Sequence, residues 1–172
     1  MSGKRKISLV RWMISIIILV PILLIWSFFL TGHWKTFKVI SRSMDPTLIV
    51  DDLLLMREQH NFPTLDNKIV VIQDPEGGNI PIVKRIVATA NGIVRISMGK
   101  VYVDGSKTPI EGEAIADSAN REWKLGPEDI FVLGDNRNNS EDSSDFGPVS
   151  RDTILGVITY RYWPFDRIGS VN

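Results

Sequence analysis

Three short stretches carry residue types that could do chemistry. The first is Ser41-Arg42-Ser43-Met44-Asp45-Pro46-Thr47-Leu48. The second is Lys84-Arg85, set inside the apolar run from Ile80 to Val87. The third is Gly134-Asp135-Asn136-Arg137-Asn138-Asn139-Ser140-Glu141-Asp142-Ser143, a polar loop directly after the apolar Ile130–Leu133. Taken singly, each has an ordinary reading. Serines beside proline make turns, a strand lysine snorkels to solvent, and an Asn/Asp/Ser-rich loop hydrogen-bonds to itself. Taken together, they supply a hydroxyl nucleophile and a base. A serine hydroxyl attacks poorly until a neighbouring base removes its proton. His33 and His60 stand in no motif that would provide one. The remaining base is a lysine amine, which must be neutral to act. From a reference pKa of about 10.4, fewer than roughly one amine in a thousand is free at pH 7. Apolar burial lowers that value by up to about 3–5 units, which reaches neutrality. Strand alternation places Ile82, Lys84 and Ile86 on one face, the lining a desolvated amine needs.

The elements that must position these groups are short strands. Ile69–Ile72, Ile80–Ala88, Ile93–Met98, Lys100–Val103, Ile130–Leu133 and Ile154–Tyr162 are β-branched runs bounded by turn residues. Asn91-Gly92 is a hairpin signal, and Gly99-Lys100 and Asp104-Gly105 mark further tight connections. Residues 105–127, rich in Gly, Glu, Ser and Pro, read as a surface excursion. The roughly 136 residues from Phe37 onward suffice for one mostly antiparallel β core.

The 172-residue chain has no cysteine, which excludes disulfides, thiolate zinc sites and cysteine nucleophiles. Its formal charge is zero, but residues 1–35 carry five basic and no acidic groups, while the rest carries 15 basic and 20 acidic ones. A net-acidic folded part lacks the basic footprint of a nucleic-acid binder. Trp12 to Leu30 is a run of 19 uncharged residues, about 28 Å as a helix and close to the hydrocarbon thickness of a bilayer. Pro21 is tolerated in such a helix, and Trp12, Trp26 and Trp34 suit the interfacial belts. The basic residues precede the run, which predicts a cytoplasmic N-terminus (1–11), a transmembrane anchor (12–30) and an extracytoplasmic β domain (31–172). The run is too long for a signal-peptide core, and Thr31-Gly32-His33-Trp34 is no small-x-small cleavage site, so the anchor is expected to stay uncleaved.

In order and spacing, the three motifs resemble those of the bacterial type I signal peptidase family, and Trp163-Pro164-Phe165-Asp166-Arg167-Ile168-Gly169 resembles its C-terminal stretch. The resemblance spans nearly the whole chain. It implies a serine endopeptidase in which Ser43 is the nucleophile and Lys84 the general base. Ser41 and the Ser43 N–H would form the oxyanion hole. Ser140 would orient the lysine, Arg85 would pair with Asp135, and Asp142 would hold the Ser140 loop. It also implies a single-pass protein of the bacterial cytoplasmic membrane with a domain of coiled antiparallel sheets. The implied partners are the lipid bilayer and preprotein signal peptides with small residues before the cleavage site. No metal and no cofactor is called for.

The family's usual Asp-Asn-Ser-x-Asp-Ser-Arg run reads here Asn138-Asn139-Ser140-Glu141-Asp142-Ser143-Ser144. The arginine expected to pair with Asp142 is absent, which predicts a looser loop or a substitute partner. The usual Gly-Asp before the Ile69 strand is Asn67-Lys68, and Thr89-Ala90-Asn91-Gly92 replaces the Pro-Gly-Asp after the lysine motif. Two further readings compete: a dedicated peptidase for one pilin-like or secretion-system substrate, and an inactive membrane-anchored binding domain. The related self-cleaving repressors are soluble and DNA-linked, which the anchor and acidic exterior disfavour.

Overall fold

A computed structural model describes residues 3–30, 34–58, 64–106, 110–116 and 119–171. His33 and His60 lie outside them. The chain divides into two compact units, Met1–Lys35 and Thr36–Asn172. The first is dominated by one helix, α1 (Gly3–Leu30), with Pro21 inside it and no acidic residue in its first turn. Among the described residues no helix is long and apolar enough to cross a membrane. The anchor expected over residues 12–30 thus stands as a helix, without that further property.

The second unit is mostly β and antiparallel. Its larger sheet runs β1 (Trp34–Lys38), β2 (Leu53–Arg57), β10 (Ile154–Trp163), β3 (Ile69–Ile72), β4 (Ile82–Ala88), β8 (Asp129–Leu133) and β9 (Val149–Ser150), with β11 (Gly169–Ser170) on β10. A smaller sheet has the order β6 (Lys100–Val103), β5 (Ile93–Ser97), β7 (Arg121–Lys124). Irregularities in the pairing of β10 with β2 and β3 bend the long strand, which strengthens the local twist.

All six expected strands are present, with ends shifted by at most two residues. Five further strands are present, and two of them, β2 and β7, were hidden for plain physical reasons. Leu53-Leu54-Leu55-Met56 is apolar on both faces, so it shows no alternation, although Leu54 and Met56 point inward. Arg121–Lys124 lies within the segment read as a surface excursion, yet it completes the small sheet against β5.

Three apolar clusters hold the unit together. One, including Met44, Leu48, Leu54, Val71 and Ile158, lies beneath the loop between β1 and β2. A second, including Val70, Ile86, Val132 and Val157, fills one face of the central strands. The third joins Val94 and Ile96 of the small sheet to Phe131 and Leu133 of the large one.

Candidate active site

Ser43 stands on the loop from Val39 to Asp52. Met44 and Leu48 drive that loop into the core, both almost wholly buried, and the Leu48 N–H donates to the Met44 carbonyl (2.9 Å). The Ser43 carbonyl accepts the Asn136 N–H (3.0 Å), and the Arg42 carbonyl accepts from the Asn136 side chain (3.1 Å). The hydroxyls of Ser41 and Ser43 lie 3.3 Å apart, within hydrogen-bonding range.

Lys84 sits on β4, between β3 and β8, where register places it opposite Val70 while Ile86 faces Val132. The amine therefore shares its face with three buried aliphatic side chains, and Lys84 itself is only 3% exposed. Its Nζ donates to Ser140 Oγ (2.7 Å), and Ser140 Oγ donates to Asp142 Oδ2 (2.7 Å). A hydroxyl has one proton to give. With that proton directed at the carboxylate, Ser140 can only accept from the amine, which fixes one N–H and leaves the lone pair of a neutral amine to point elsewhere. Burial pushes the lysine below its ordinary pKa, while the carboxylates of Asp142, Glu141 and Asp145 pull it back up; the net direction is down.

The loop after β8 makes this arrangement by tight packing at Gly134. A Cβ there would collide with the Ser140 side chain and come within 2.5 Å of the Ser43 carbonyl oxygen. The Gly134 N–H donates to Asp142 Oδ2 (2.8 Å). The other oxygen of Asp142 accepts the N–H (3.0 Å) and hydroxyl (2.9 Å) of Ser144 and so caps the short helix α2 (Ser143–Phe146). Ser144, at the position of the missing arginine, is thus the substitute partner, and the loop is not loosened there. A cation also stands nearby: the buried Arg137 guanidinium is pushed down by burial and held up mainly by the charges of Asp142 and Asp135.

Asn138, where the family pattern has aspartate, gains a use from the change. Its amide donates to the Ala114 carbonyl (3.1 Å) and accepts from the Ala116 N–H (2.7 Å). An aspartate could only accept. Arg137 likewise donates to the Glu111 carbonyl (3.3 Å). Segment 110–116 is in turn pinned to the small sheet by Ile110 N–H to the Val101 carbonyl (2.8 Å) and Ile115 N–H to the Gly99 carbonyl (2.8 Å). The small sheet therefore straps down the loop that carries Ser140.

Arg85 and Asp135 form a two-pronged ion pair, Nε to Oδ1 at 2.8 Å and a terminal nitrogen to Oδ2 at 2.7 Å. Burial alone would raise the Asp135 pKa, but the Arg85 fork, the Thr47 hydroxyl and the nearby positive charges hold it below the usual carboxylate range. Arg85 also donates to the Asn67 carbonyl (3.0 Å). Asn67 has φ +60°, a left-handed conformation in which asparagine is the natural stand-in for the family's glycine.

Ser41, Ser43 and Lys84 line one cleft of about 540 Å³, with Ile40, Met44, Ile82 and Phe146 on its walls and Asp74, Glu76 and Glu141 among its lining residues. Arg85 and Asp135 face a separate hollow of about 990 Å³ that touches neither Ser43 nor Lys84. Among the described residues no group of three or more carboxylate or histidine side chains could hold a metal ion. Four residues that sequence reasoning gave no role enter the site's support: Asp52, Arg161, Arg167 and Arg137. The first three hold the Ser43 loop through ion pairs and hydrogen bonds. Arg137 stands in the third motif and Arg167 in the closing Trp163–Gly169 stretch, but neither Asp52 nor Arg161 falls in any of the motif stretches singled out.

The cleft brings the buried amine and the serine-bearing loop together, and comparison with known proteins defines the class. The family model for signal peptidase, peptidase S26, matches residues 9–163. Signal peptidase I of Leptolyngbya laminosa is 34% identical over 143 residues, covering 76% of this chain and 70% of the relative. The probable signal peptidase I-2 of Synechocystis sp. is 34% identical over 148 residues, covering 75% of this chain but 63% of that protein's length. The chain belongs to the type I signal peptidase family. A protein described as an inactive signal peptidase IA, from Staphylococcus aureus, is 26% identical over 171 residues and covers 93% of this chain and 95% of its own.

Proposed function

We propose that this protein is a membrane-bound endopeptidase that removes signal peptides from translocated preproteins, with Ser43 as nucleophile and Lys84 as general base. The observation that carries the reading is the buried Lys84 amine, hydrogen-bonded to Ser140 and lining the same cleft as the Ser43 hydroxyl. Neutral Lys84 takes the Ser43 proton as Oγ attacks the scissile carbonyl carbon. The carbonyl π electrons move to oxygen, where the Ser43 N–H and the Ser41 hydroxyl receive the negative charge. Collapse breaks the C–N bond, and the Lys84 ammonium returns the proton to the departing amine. Lys84 then deprotonates a water that hydrolyses the ester and restores Ser43. Each oxyanion donor contributes about 2.7–4 kcal/mol to such a transition state.

The apolar cleft walls suit an extended peptide with small side chains before the cut. Anchoring in the bacterial cytoplasmic membrane rests on the sequence, in which the 19 residues from Trp12 to Leu30 carry no charge and Lys4, Arg5, Lys6 and Arg11 precede them. In this topology the N-terminus is cytoplasmic and residues from 31 onward lie outside. The departures at Asn67, Asn138 and Ser144 leave room for a substrate range narrowed to one dedicated preprotein.

The inactive Staphylococcus aureus relative favours a second reading, a binding domain without turnover. Incubating detergent-solubilised protein with an Ala-x-Ala preprotein separates the two. Release of the signal peptide, abolished in both Ser43→Ala and Lys84→Ala, is the expected result. No release by the unaltered protein supports the binding domain. Turnover by the Lys84 variant assigns the base elsewhere. The rate should rise with pH and level off once Lys84 has lost its proton, at a midpoint below that of an ordinary lysine because burial dominates. A flat profile would contradict a titrating amine.

A further inference from the structure

We propose that Asp52, Arg161 and Arg167 form a positioning triad that fixes the Ser43 hydroxyl for attack. This rests on Ser43 being the nucleophile. The Val39–Asp52 loop contains only turns and bends, so no strand or long helix holds its serine in place. Asp52 closes the base of the loop. Its carbonyl accepts the Val39 N–H (3.0 Å), and its side chain accepts the Ile49 N–H (3.0 Å).

The Asp52 carboxylate has no solvent exposure and receives two cations. A terminal nitrogen of Arg161 lies 3.2 Å from Oδ2, and one of Arg167 lies 3.1 and 3.2 Å from the two oxygens. Both guanidiniums reach onward to the outgoing limb of the loop. Arg161 donates to the Thr47 carbonyl (3.0 Å), and Arg167 donates to the carbonyls of Thr47 (3.2 Å) and Pro46 (3.3 Å). Arg161 Nε also donates to the Arg167 carbonyl (2.6 Å), which locks the two together. The triad thus grips the backbone three and four residues after Ser43, while Asn136 holds the Ser43 carbonyl from the other side.

Buried ion pairs contribute little stability relative to well-packed apolar residues, so a fully buried carboxylate with two cations beside the Met44–Leu48 cluster argues for geometry over stability. A misplacement of about 1 Å in an attacking group costs up to roughly 100-fold in rate. The triad also gives a role to the C-terminal stretch: Arg161 ends up beside Asp52 from 109 residues away, and Arg167 from 115.

The test uses full-length protein in detergent with an Ala-x-Ala preprotein, comparing Asp52→Asn and Arg167→Lys with the unaltered chain. Arg167 is partly exposed, and lysine keeps a cation near Asp52, so this variant retains the fold even where Asp52→Asn does not. The expected result is kcat per folded molecule lower by more than about fivefold, with KM and the pH midpoint unchanged, because the hydroxyl is misplaced and the base is untouched. A smaller loss of kcat in Arg167→Lys, or a loss carried by KM or by a moved pH midpoint, overturns the triad. Ser43→Ala in the same assay keeps the two ideas apart. Activity retained there defeats the proposed mechanism, whereas an inactive Ser43→Ala beside a fully active Arg167→Lys defeats the triad alone.

Discussion

Ser43 rides on a loop tied down by charge, with one buried carboxylate and two partly buried guanidiniums behind it. Lys84 stands on a central strand, its nearest polar contact a neutral hydroxyl with a carboxylate one step further away. The two regions meet different demands. A proposed nucleophile has no charge to tune before attack, so strong ionic anchors can be placed behind it at no cost to its chemistry. A proposed base must lose its own charge near neutral pH, and a carboxylate in direct contact would hold the proton on. Ser140 solves this by standing between Lys84 and Asp142: it passes on orientation and keeps the carboxylate one hydroxyl away. Burial can then outweigh the pull of Asp142, Glu141 and Asp145.

Breaking the base side should cost most. In Ser140→Ala the amine loses its acceptor and the Asp142 carboxylate loses one of its donors. Hydrogen bonds to charged groups contribute about 1.5–3 kcal/mol, so kcat is expected to fall roughly 10- to 100-fold, measured on the same preprotein. Full activity would remove Ser140 from the base side altogether. Loosening the strap is a gentler disturbance. Asn138→Asp turns the donor to the Ala114 carbonyl into a second acceptor, and losing that bond, worth about 1 kcal/mol, should lower kcat about fivefold. Back-mutation to the family's usual residue would then harm this chain, and an unchanged rate would show that segment 110–116 does not hold the loop.

The smallest expected effect sharpens the electrostatic half of the contrast. Glu141 is exposed and raises the Lys84 pKa through charge alone. Glu141→Gln should move the midpoint of the pH–rate profile downward and leave the plateau rate unchanged. Replacing a carboxylate by an amide removes a group that favours the ammonium, so the base becomes neutral at lower pH. A midpoint moving upward would reverse the assigned sign.

Much of this was legible in the sequence because it is local. Alternation in Ile82–Val87 places Lys84 inward, and the apolar Ile130–Leu133 followed by Gly134 delivers the polar loop to the end of the neighbouring strand. What stayed hidden depends on contacts across the chain. Nothing near Asp52 announces its two arginine partners, and Arg161 lies in a strand where an arginine ordinarily faces water. Ser144 could be noticed as a missing arginine but not as its replacement, because a two-residue hydrogen bond back to Asp142 is visible only once the loop has folded. The strand Arg121–Lys124 escaped because its polar residues resemble the loop around it, and only pairing with β5 distinguishes it.

Gly134 carries a consequence for redesign. Its missing methyl is the clearance between the Ser43 loop and Ser140, the residue that holds the Lys84 amine, since the Ser43 carbonyl and the Ser140 side chain both crowd the volume a Cβ would fill. A single added carbon there would be a wedge, spreading apart two groups that sit 97 positions apart in the chain, Ser43 and Ser140. The spacing of this site is therefore set by an empty place as much as by any side chain, and an attempt to stiffen the loop by filling it would unseat both ends together.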